Sequence, residues 1–296
     1  MKILLLGGRG QVGWELQRAL APLGAVTALD TRSTPAADFE RPAALPALLD
    51  ALAPDLIVNA AAHTAVDRAE SEPERVQRIN AEAPGELARW AAARGAWLVH
   101  YSSDYVFDGR GDRRHDEADA TGPLSVYGRS KLEAERCIAA SGCLHLILRT
   151  SWVYAARGDN FARTMLRLAA ERDTLRVVDD QIGAPTGAEL LADVTAHALR
   201  RARAQPALAG LYHCVAGGQT SWHGYACHVI EWARARGLPV KVAADAIVPV
   251  PSSDYPTAAR RPLNSRLATD KLQAAFDLVL PPWQAGVERM LQEIHH

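Results

Sequence analysis

Short apolar runs alternate with helical patterns along the first half of the chain. The apolar runs are residues 2–6, 26–29, 56–59, 97–101 and 145–149, and helical patterns cover residues 11–20 and 74–93. Ser71 and Glu74 have the spacing of a capping box at the start of the second helical pattern. Strands that alternate with helices are typical of a parallel sheet covered on both faces. The pattern therefore predicts an α/β fold with a Rossmann-type, doubly wound parallel sheet.

The pattern loosens after residue 150. Residues 183–186, 217–218 and 248–262 contain clustered glycine or proline and are interpreted as loops between shorter elements. A chain of 296 residues is also at the size where one core tends to divide. We therefore expect a dinucleotide-binding domain over residues 1–150, to which later segments can return, and a smaller C-terminal lobe over residues 151–296 that mainly binds substrate.

Composition and charge exclude several classes of protein. The net charge is -1, so no overall field attracts the chain to nucleic acid or to an anionic membrane. No run approaches a signal-peptide core or the ~20 apolar residues of a membrane span, and a cytoplasmic location is predicted. The cysteines form no Cys-x-x-Cys pair and are interpreted as reduced core residues. They are Cys137, Cys143, Cys214 and Cys227.

A glycine-rich loop follows the first predicted strand. Gly7, Gly10 and Gly13 form Gly-x-x-Gly-x-x-Gly between a strand and a helix. This setting suits a tight turn, a backbone close to a pyrophosphate and helix amides that bind the anion. Asp30 closes the second strand, where a carboxylate can take the ribose hydroxyls of NAD, whereas Arg32 could face a 2'-phosphate. NADH and NADPH both remain open, and a turn without a ligand is the alternative.

Tyr127 and Lys131 form a Tyr-x-x-x-Lys motif at the start of a predicted helix. Residues four apart lie on one helical face, so the ammonium can act on the phenol. Ketone reduction needs a proton on oxygen, and a phenol with a pKa near ~10 is a sluggish donor unless a cation favours its phenolate. The motif indicates a catalytic pair, and an exposed helix start with a solvated lysine is the alternative.

Seven further blocks carry a resemblance that extends over the whole chain. They read GQVGWELQRAL, NAAAHTAVDRAES, YSSDYVFDG, VYGRSK, RTSWVYA, DDQIGAPTGAELLAD and RRPLNSRL. In this order they resemble the dTDP-4-dehydrorhamnose reductases, a family of extended short-chain dehydrogenase/reductases. The resemblance implies that NADPH or NADH reduces the C4 ketone of a dTDP-sugar, dTDP-4-dehydro-L-rhamnose, to give dTDP-L-rhamnose. It places this step last in dTDP-rhamnose synthesis, within lipopolysaccharide and O-antigen biosynthesis.

The resemblance also implies roles for individual residues. Ser103, Tyr127 and Lys131 match the family's catalytic triad, with Ser103 in place of the usual threonine. Ser103 would bond the ketone oxygen and the Tyr127 hydroxyl, and a strand-end cap is its alternative role. The cofactor residues implied are Gly7, Gly10, Gln11, Val12, Asp30, Asp38, Phe39, Ala62, His63, Thr64, Tyr101, Tyr127 and Lys131. The substrate residues implied are Ser103, Asp104 and Trp152.

Other charged and metal-ligating residues are less specific. Arg260 and Arg261 could meet the substrate's pyrophosphate or be a solvated pair. Some reductases of this family dimerise around Mg²⁺ through acidic residues, so Glu15 and Glu189 are candidates for a magnesium site in a homodimer, with solvated carboxylates as the alternative. The remaining candidates lack tight zinc-ligand spacing, and no metal-ligating residue is predicted among them. They are His213, Cys214, His223, Cys227 and His228.

Two other functions are compatible with the same fold. One is a nucleotide-sugar epimerase or 4,6-dehydratase, but dehydratases of this kind place Asp-Glu after the catalytic hydroxyl, whereas Asp104 and Tyr105 follow Ser103 here. The other is a non-catalytic regulatory subunit, like that of methionine adenosyltransferase, which resembles these reductases and acts by binding a partner. The intact set Ser103, Tyr127 and Lys131 favours catalysis.

Overall fold

The computed structural model of the chain describes residues 1–295. Its strands are β1 (Lys2–Leu6), β2 (Ala25–Leu29), β3 (Leu56–Asn59), β4 (Trp97–Ser103), β5 (His145–Thr150), β6 (Val153–Tyr154), β7 (Leu175–Val178), β8 (Ile182–Gly183), β9 (Thr186–Gly187), β10 (Gly210–His213), β11 (Thr220–Ser221) and β12 (Ile247–Val250). Its α-helices are α1 (Gln11–Leu20), α2 (Leu45–Leu52), α3 (Val66–Ala69), α4 (Pro73–Gln77), α5 (Ala83–Arg94), α6 (Val126–Ser141), α7 (Phe161–Glu171), α8 (Ala188–Ala204), α9 (Trp222–Ala235), α10 (Asp270–Phe276) and α11 (Trp283–Ile294). A π turn, Arg78–Glu82, joins α4 to α5. Short 3₁₀ turns occur at Ala21–Leu23, Pro42–Ala44, Asp104–Val106, Pro206–Leu208, Ala244–Ala246 and Ser252–Asp254.

Six strands form a parallel sheet in the order β10-β5-β4-β3-β1-β2. The chain runs from β1 to β2 on one side and then crosses to β3 on the other, so the strand order reverses between β1 and β3. The loops after β1 and β3 therefore leave the sheet on opposite sides of a crevice, which is where doubly wound sheets bind ligands. The topology confirms the predicted Rossmann-type class.

Side chains of β1 alternate between two cores. Ile3 and Leu5 pack with α1 and α8, whereas Leu4 and Leu6 pack with α2 and α5 on the other face. Because helices cover both faces, residues 3–6 of the strand are all buried in apolar surroundings, and only Lys2 at its start is exposed. This explains why residues 3–6 are apolar without a polar alternation.

The chain returns to the sheet after residue 150. Strand β10 pairs with β5, and Leu191 of α8 joins the core beside β1. A separate apolar cluster around Tyr225 and Trp283 joins α7, α9 and α11. The division into two domains at residue 150 stays a prediction. It allowed later segments to return to the first domain, and β10 is such a segment.

The predicted helix over residues 74–93 is not continuous. It consists of α4, the π turn and α5. Pro84 lacks the N–H that would close an α-helical bond to the Asn80 carbonyl, so the helix is interrupted just before it. Pro84 was the sequence signal for this interruption, but the apolar pattern of a helix continues through it.

Two local predictions were wrong. The capping box is absent, because α4 begins at Pro73 with no side-chain cap and Ser71 Oγ donates instead to Arg68 O at 2.9 Å. Part of the loop predicted over residues 248–262 belongs to β12, which pairs in parallel with β7.

All four cysteines are free thiols, with Cys143 and Cys214 buried and Cys137 and Cys227 partly buried. None of the helices formed by residues 1–295 combines the length and the apolar character needed to cross a membrane.

Candidate active site

The glycine loop after β1 makes a tight turn against the start of α1. Gly7 has a left-handed φ of +85°, and the Gly10 N–H donates to Gly7 O at 3.0 Å. A Cβ on Gly13 would lie only 2.1 Å from that carbonyl oxygen, so a side chain there would displace the helix. Gly10 offers no side-chain cap, which leaves the first-turn amides of Gln11 and Val12 open to an anion. The loop fits the pyrophosphate of a dinucleotide.

Asp30 follows β2 and is engaged by two neighbours. Its Oδ2 lies 2.9 Å from Arg9 Nε in the glycine loop, and its Oδ1 accepts from the Arg32 N–H at 2.7 Å. A carboxylate at this position can accept from ribose hydroxyls, while the guanidinium beside it can donate to a phosphate. Arg9 was not predicted as a site residue, and the available signal for it was a basic residue inside the glycine loop.

Asp38 and Phe39, which the resemblance assigns to the cofactor, differ in burial. Phe39 is buried in the core beside α2, whereas Asp38 is partly exposed and lies 3.7 Å from Arg41 Nε. The Phe39 ring is therefore part of the core beneath this surface, and the Asp38 carboxylate is the accessible member of the pair.

The loop after β3 contains Ala62, His63 and Thr64 and lies beside the crevice. Its backbone is held by Asn80 of the π turn, whose Oδ1 accepts from the His63 N–H at 2.7 Å and whose Nδ2 donates to His63 O at 3.0 Å. The interruption of the predicted helix thus places an amide side chain that fixes this loop.

Lys131 is buried on α6 and is not a solvated lysine. The helix starts after Ser125, whose Oγ accepts from the Gly128 N–H at 3.1 Å. Only 2% of Lys131 is exposed, and burial lowers its pKa to about 8. Its Nζ donates to Tyr101 O at 2.5 Å and lies 3.3 Å from His100 Nε2. The ammonium was expected to act on the Tyr127 phenol, but these hydrogen bonds are made to β4.

Ser103, Asp104 and Tyr127 lie together at the carboxyl end of β4. Ser103 Oγ donates to Asp104 Oδ1 at 2.9 Å and accepts from the Tyr105 N–H at 3.1 Å. Burial raises the pKa of Tyr127 to about 12, the Ser103 hydroxyl lowers it and the Asp104 charge adds to the rise. The phenol is therefore fully protonated at neutral pH. Ser103 also acts as the strand-end cap that was its alternative role.

Asp104 is a buried carboxyl group beside these hydroxyls. Burial raises its pKa to about 6, while the Ser265 and Ser103 hydroxyls lower it. Its Oδ2 is buried with no hydrogen-bond partner. Ser265 belongs to the block RRPLNSRL and was not predicted as a site residue.

Tyr101 contributes its backbone to the site. Its hydroxyl is 2.6 Å from Thr195 Oγ1 and its ring lies in the core beside α8. Only its carbonyl oxygen reaches Lys131. The structure therefore places the phenol of Tyr101 on the opposite side of the strand from the side chain of Lys131.

The two substrate-side candidates in the second half of the chain have defined partners. Trp152 stacks on Trp222, with ring centroids 3.8 Å apart and an interplanar angle of 16°. Arg261 forms a two-pronged pair with Asp67, at 2.6 Å and 3.1 Å, while Arg260 is exposed. Arg261 is thus not a solvated residue. Trp222 was missed, because no local spacing connects it with Trp152.

The acidic residues considered for magnesium are paired with arginines. Glu189 Oε1 lies 2.7 Å from Arg289 Nη2, and Glu15 Oε2 lies 3.7 Å from Arg18 Nε. Burial raises the pKa of Glu15, and the charge of Arg18 lowers it. Over the described part of the chain no three His, Cys, Asp or Glu side chains form a group able to hold a metal ion. A magnesium site at these residues is therefore not supported.

Comparisons with known proteins agree on one family. The model of the family described as "RmlD substrate binding domain" matches residues 1–296. The dTDP-4-dehydrorhamnose reductase of Shigella flexneri is 57% identical over 295 residues, which cover 99% of this chain and 98% of that protein.

Two solved structures are similar over nearly their whole length. The crystal structure of a dTDP-4-dehydrorhamnose reductase from Clostridium acetobutylicum has a TM-score of 0.90 and 33% identity and covers 100% of both chains. The enzyme of the same name from Bacillus anthracis, in complex with NADP, has a TM-score of 0.87 and 31% identity and covers 99% of both chains. These matches confirm the resemblance inferred from the sequence blocks, and the chain belongs to the RmlD family of dTDP-4-dehydrorhamnose reductases.

Proposed function

We propose that the chain reduces the C4 ketone of dTDP-4-dehydro-L-rhamnose to dTDP-L-rhamnose with NADPH or NADH, the last step of dTDP-rhamnose synthesis. The observation that carries this proposal is the grouping of Ser103 and Tyr127 at the end of β4, with buried Lys131 one helical turn from Tyr127. The 57% identity to a reductase named for this substrate supports the choice of sugar.

The cofactor would supply the hydride when bound, and the residues of the chain would hold it and manage the proton. The amides of Gln11 and Val12 would bind the pyrophosphate, and Asp30 with Arg9 would meet the adenosine ribose. Ala62, His63 and Thr64 would line the crevice beyond β3. These are the positions at which a doubly wound sheet presents backbone amides and strand ends to a dinucleotide.

The hydroxyl groups of Ser103 and Tyr127 would deliver the proton to the substrate. Ser103 would donate to the ketone oxygen and polarise the carbonyl, and Tyr127 would give its proton to the same oxygen as the alkoxide forms. A phenol with a pKa of about 12 is protonated at pH 7, which is the state that a reduction requires. Lys131, buried one helical turn away, would restore the proton to the phenolate.

The sugar would lie between these hydroxyls and the lobe that α7, α9 and α11 build. Trp152 offers an apolar ring face to the methyl-bearing deoxysugar, and Asp104 offers a carboxyl group beside Ser103. We further propose that both reduced nicotinamide cofactors are accepted, that the enzyme acts in the cytoplasm, and that it forms a homodimer.

One assay tests this function. The protein is incubated with dTDP-4-dehydro-L-rhamnose and either NADPH or NADH, the absorbance of the reduced cofactor is followed, and the product is identified by mass spectrometry and NMR. We expect stoichiometric loss of the reduced cofactor and formation of dTDP-L-rhamnose. An epimerase or dehydratase regenerates its cofactor and gives no net loss, and a regulatory subunit gives no turnover, so either result would contradict the proposal.

A further inference from the structure

Lys131 is the end of a row of three buried polar side chains from three elements. Asn59 ends β3, His100 is its paired residue in β4, and Lys131 lies on α6. Their exposed fractions are 1%, 1% and 2%. Asn59 Nδ2 lies 3.1 Å from His100 Nδ1, and His100 Nε2 lies 3.3 Å from Lys131 Nζ. The imidazole therefore bridges a side-chain amide and the lysine of the site.

The orientation of the Asn59 amide is fixed by the backbone. Its Oδ1 accepts from the Ala61 N–H at 3.0 Å, so its NH₂ group faces His100 Nδ1. An NH₂ group only donates, so this contact favours Nδ1 as the acceptor and the single proton of a neutral imidazole on Nε2. Burial, and secondly the Lys131 charge, hold the pKa of His100 well below its usual value, so the ring is neutral.

This tautomer restricts the charge of Lys131. An Nε2–H that points at Lys131 Nζ needs an acceptor, which an amine provides and an ammonium does not. An ammonium would need Nε2 to accept, which moves the imidazole proton to Nδ1, against the NH₂ of Asn59. Two buried donors facing each other are costly. Lys131 as the amine with His100 as the Nε2–H tautomer is therefore the combination that satisfies every hydrogen bond in the row.

The other groups around Lys131 do not decide between its amine and ammonium forms. The Tyr101 carbonyl accepts from either form of Nζ. Glu135, one turn further along α6, favours the ammonium, but its oxygens are 2.8 Å and 2.7 Å from the guanidinium of Arg149, which offsets its charge. Tyr127, one turn earlier, is a neutral phenol at pH 7 because its pKa is about 12.

We propose that His100, with its tautomer set by Asn59, is a positioning residue that favours the amine form of Lys131, so that the ammonium gives up its proton readily, and that His100 changes tautomer when Lys131 binds a proton. The inference rests on the proposed function, in which Tyr127 loses its proton to the ketone oxygen and must regain one. An ammonium at Lys131 gives that proton up, and the amine left behind accepts from the His100 Nε2–H. One proton from solvent then restores Lys131 in each cycle, so proton and hydride together balance the conversion of ketone to alcohol.

The proposal can be tested without turnover, by NMR of the full-length chain labelled with ¹³C-lysine and with ¹⁵N in the imidazole rings. The chain has few lysines, and the Lys131 and His100 signals are assigned by their loss in Lys131→Met and His100→Phe. The lysines are Lys2, Lys131, Lys241 and Lys271. We expect the Lys131 signal to titrate near pH 8. We also expect the ¹⁵N shifts of His100 to change from the Nδ1–H to the Nε2–H tautomer, as pH rises, with the same midpoint.

Substitutions at Asn59 separate the tautomer from simple burial. Asn59→Leu removes the NH₂ donor without adding charge, so the tautomer account expects the Lys131 midpoint to rise, whereas a more apolar surrounding alone would lower it. Asn59→Asp should fix the Nδ1–H tautomer and raise the midpoint by about one pH unit or more, a tenfold gain in proton affinity. Asn80→Asp is the matched control, since Asn80 is equally buried at 1% and contacts Ser130, the neighbour of Lys131. It should move the midpoint less and leave the coupled tautomer change intact.

Two results would overturn the proposal. One is a His100 ring that keeps a single tautomer while Lys131 titrates, which the unsubstituted chain alone can show. The other is an Asn59→Leu chain, folded by its NMR spectrum, whose Lys131 midpoint stays the same or falls. The keto-sugar assay decides the proposed function separately, because a chain without that activity would still report the coupled titration.

Discussion

Trp152 lies flat against Trp222, with ring centroids 3.8 Å apart. Its backbone φ is +49°, a left-handed conformation that is uncommon for a bulky residue and costs roughly 1–3 kcal/mol. A Cβ on Gly183 would come within 2.9 Å of the Trp152 ring, so the glycine leaves room for the indole. The stacking on Trp222 and the space beside Gly183 hold the Trp152 ring in place despite its strained backbone. A strained but fixed conformation of this kind is expected of a residue positioned for a ligand.

Replacing Trp152 should affect the sugar and not the cofactor. For Trp152→Ala we expect KM for the dTDP-sugar to rise ~10-fold or more, about 1.4 kcal/mol, with an unchanged Kd for NADPH by isothermal titration calorimetry. Trp222→Leu is the matched control, because it removes the stacking partner and keeps the proposed sugar-facing ring, so its effect should be smaller. Equal weakening of both ligands would instead indicate a core role for Trp152.

The ion pair between Arg9 and Asp30 should set the cofactor preference. Asp30→Ala removes the carboxylate that repels a 2'-phosphate, so the ratio of kcat/KM for NADPH to that for NADH should rise ~10-fold. Arg9→Gln removes the cation and should shift the ratio the other way. Steady-state kinetics with both cofactors measures the ratio, and no change in either variant would show that these residues do not face the adenosine ribose.

The buried carboxyl group of Asp104 should destabilise the folded protein at neutral pH. Its pKa is raised from 3.8 to about 6, so folding favours the protonated form, and stability falls as pH rises through this range. Asp104→Asn should therefore raise the free energy of unfolding by roughly 2–3 kcal/mol at pH 7 and by much less near pH 3.5. Urea denaturation at both pH values measures this difference, and an equal effect at both would contradict it. The variant should also reduce kcat/KM for the sugar.

Replacing only one partner of the buried pair of Glu135 and Arg149 should strongly destabilise the folded protein. Their side chains are 6% and 4% exposed, with Arg149 Nη2 at 2.7 Å from Glu135 Oε2. Arg149→Met leaves an unpaired buried carboxylate and should lower the free energy of unfolding by about 3–5 kcal/mol. The double variant with Glu135→Leu removes both charges and should recover most of that loss. Denaturant unfolding of the three proteins checks this, and a double variant no better than the single one would contradict the reasoning.

The central sheet could be predicted because its signals are local. Residues 2–6 and 11–20 have the predicted bounds, since a strand buried over four consecutive positions and an amphipathic helix are both visible as patterns of apolar positions. The π turn was not predicted, because the helical pattern continues through it and only Pro84 marks the break. The capping-box motif was misleading, because Ser71 has a competing backbone acceptor in Arg68.

The candidate site could be predicted only in part, because only some of its contacts are local in the sequence. Tyr127 and Lys131 are linked by helical spacing, and the glycine loop by its motif. The contacts of Lys131 with His100, of Arg9 with Asp30 and of Trp152 with Trp222 join separate elements, and no local pattern encodes them. His100 in particular lies within an apolar run and looks like any core position in the sequence.

The central claim is that Tyr127 is the proton donor for ketone reduction, and Tyr127→Phe tests it most directly. The substitution keeps the ring and removes the hydroxyl, so folding and NADPH affinity should be retained. Ser103→Thr, which keeps a hydroxyl, is the matched control and should be nearly neutral, whereas Ser103→Ala should be slow. The deciding measurement is kcat of Tyr127→Phe with dTDP-4-dehydro-L-rhamnose and saturating NADPH: our account predicts a fall of ~10²-fold or more, and a kcat close to that of the unsubstituted enzyme would contradict it.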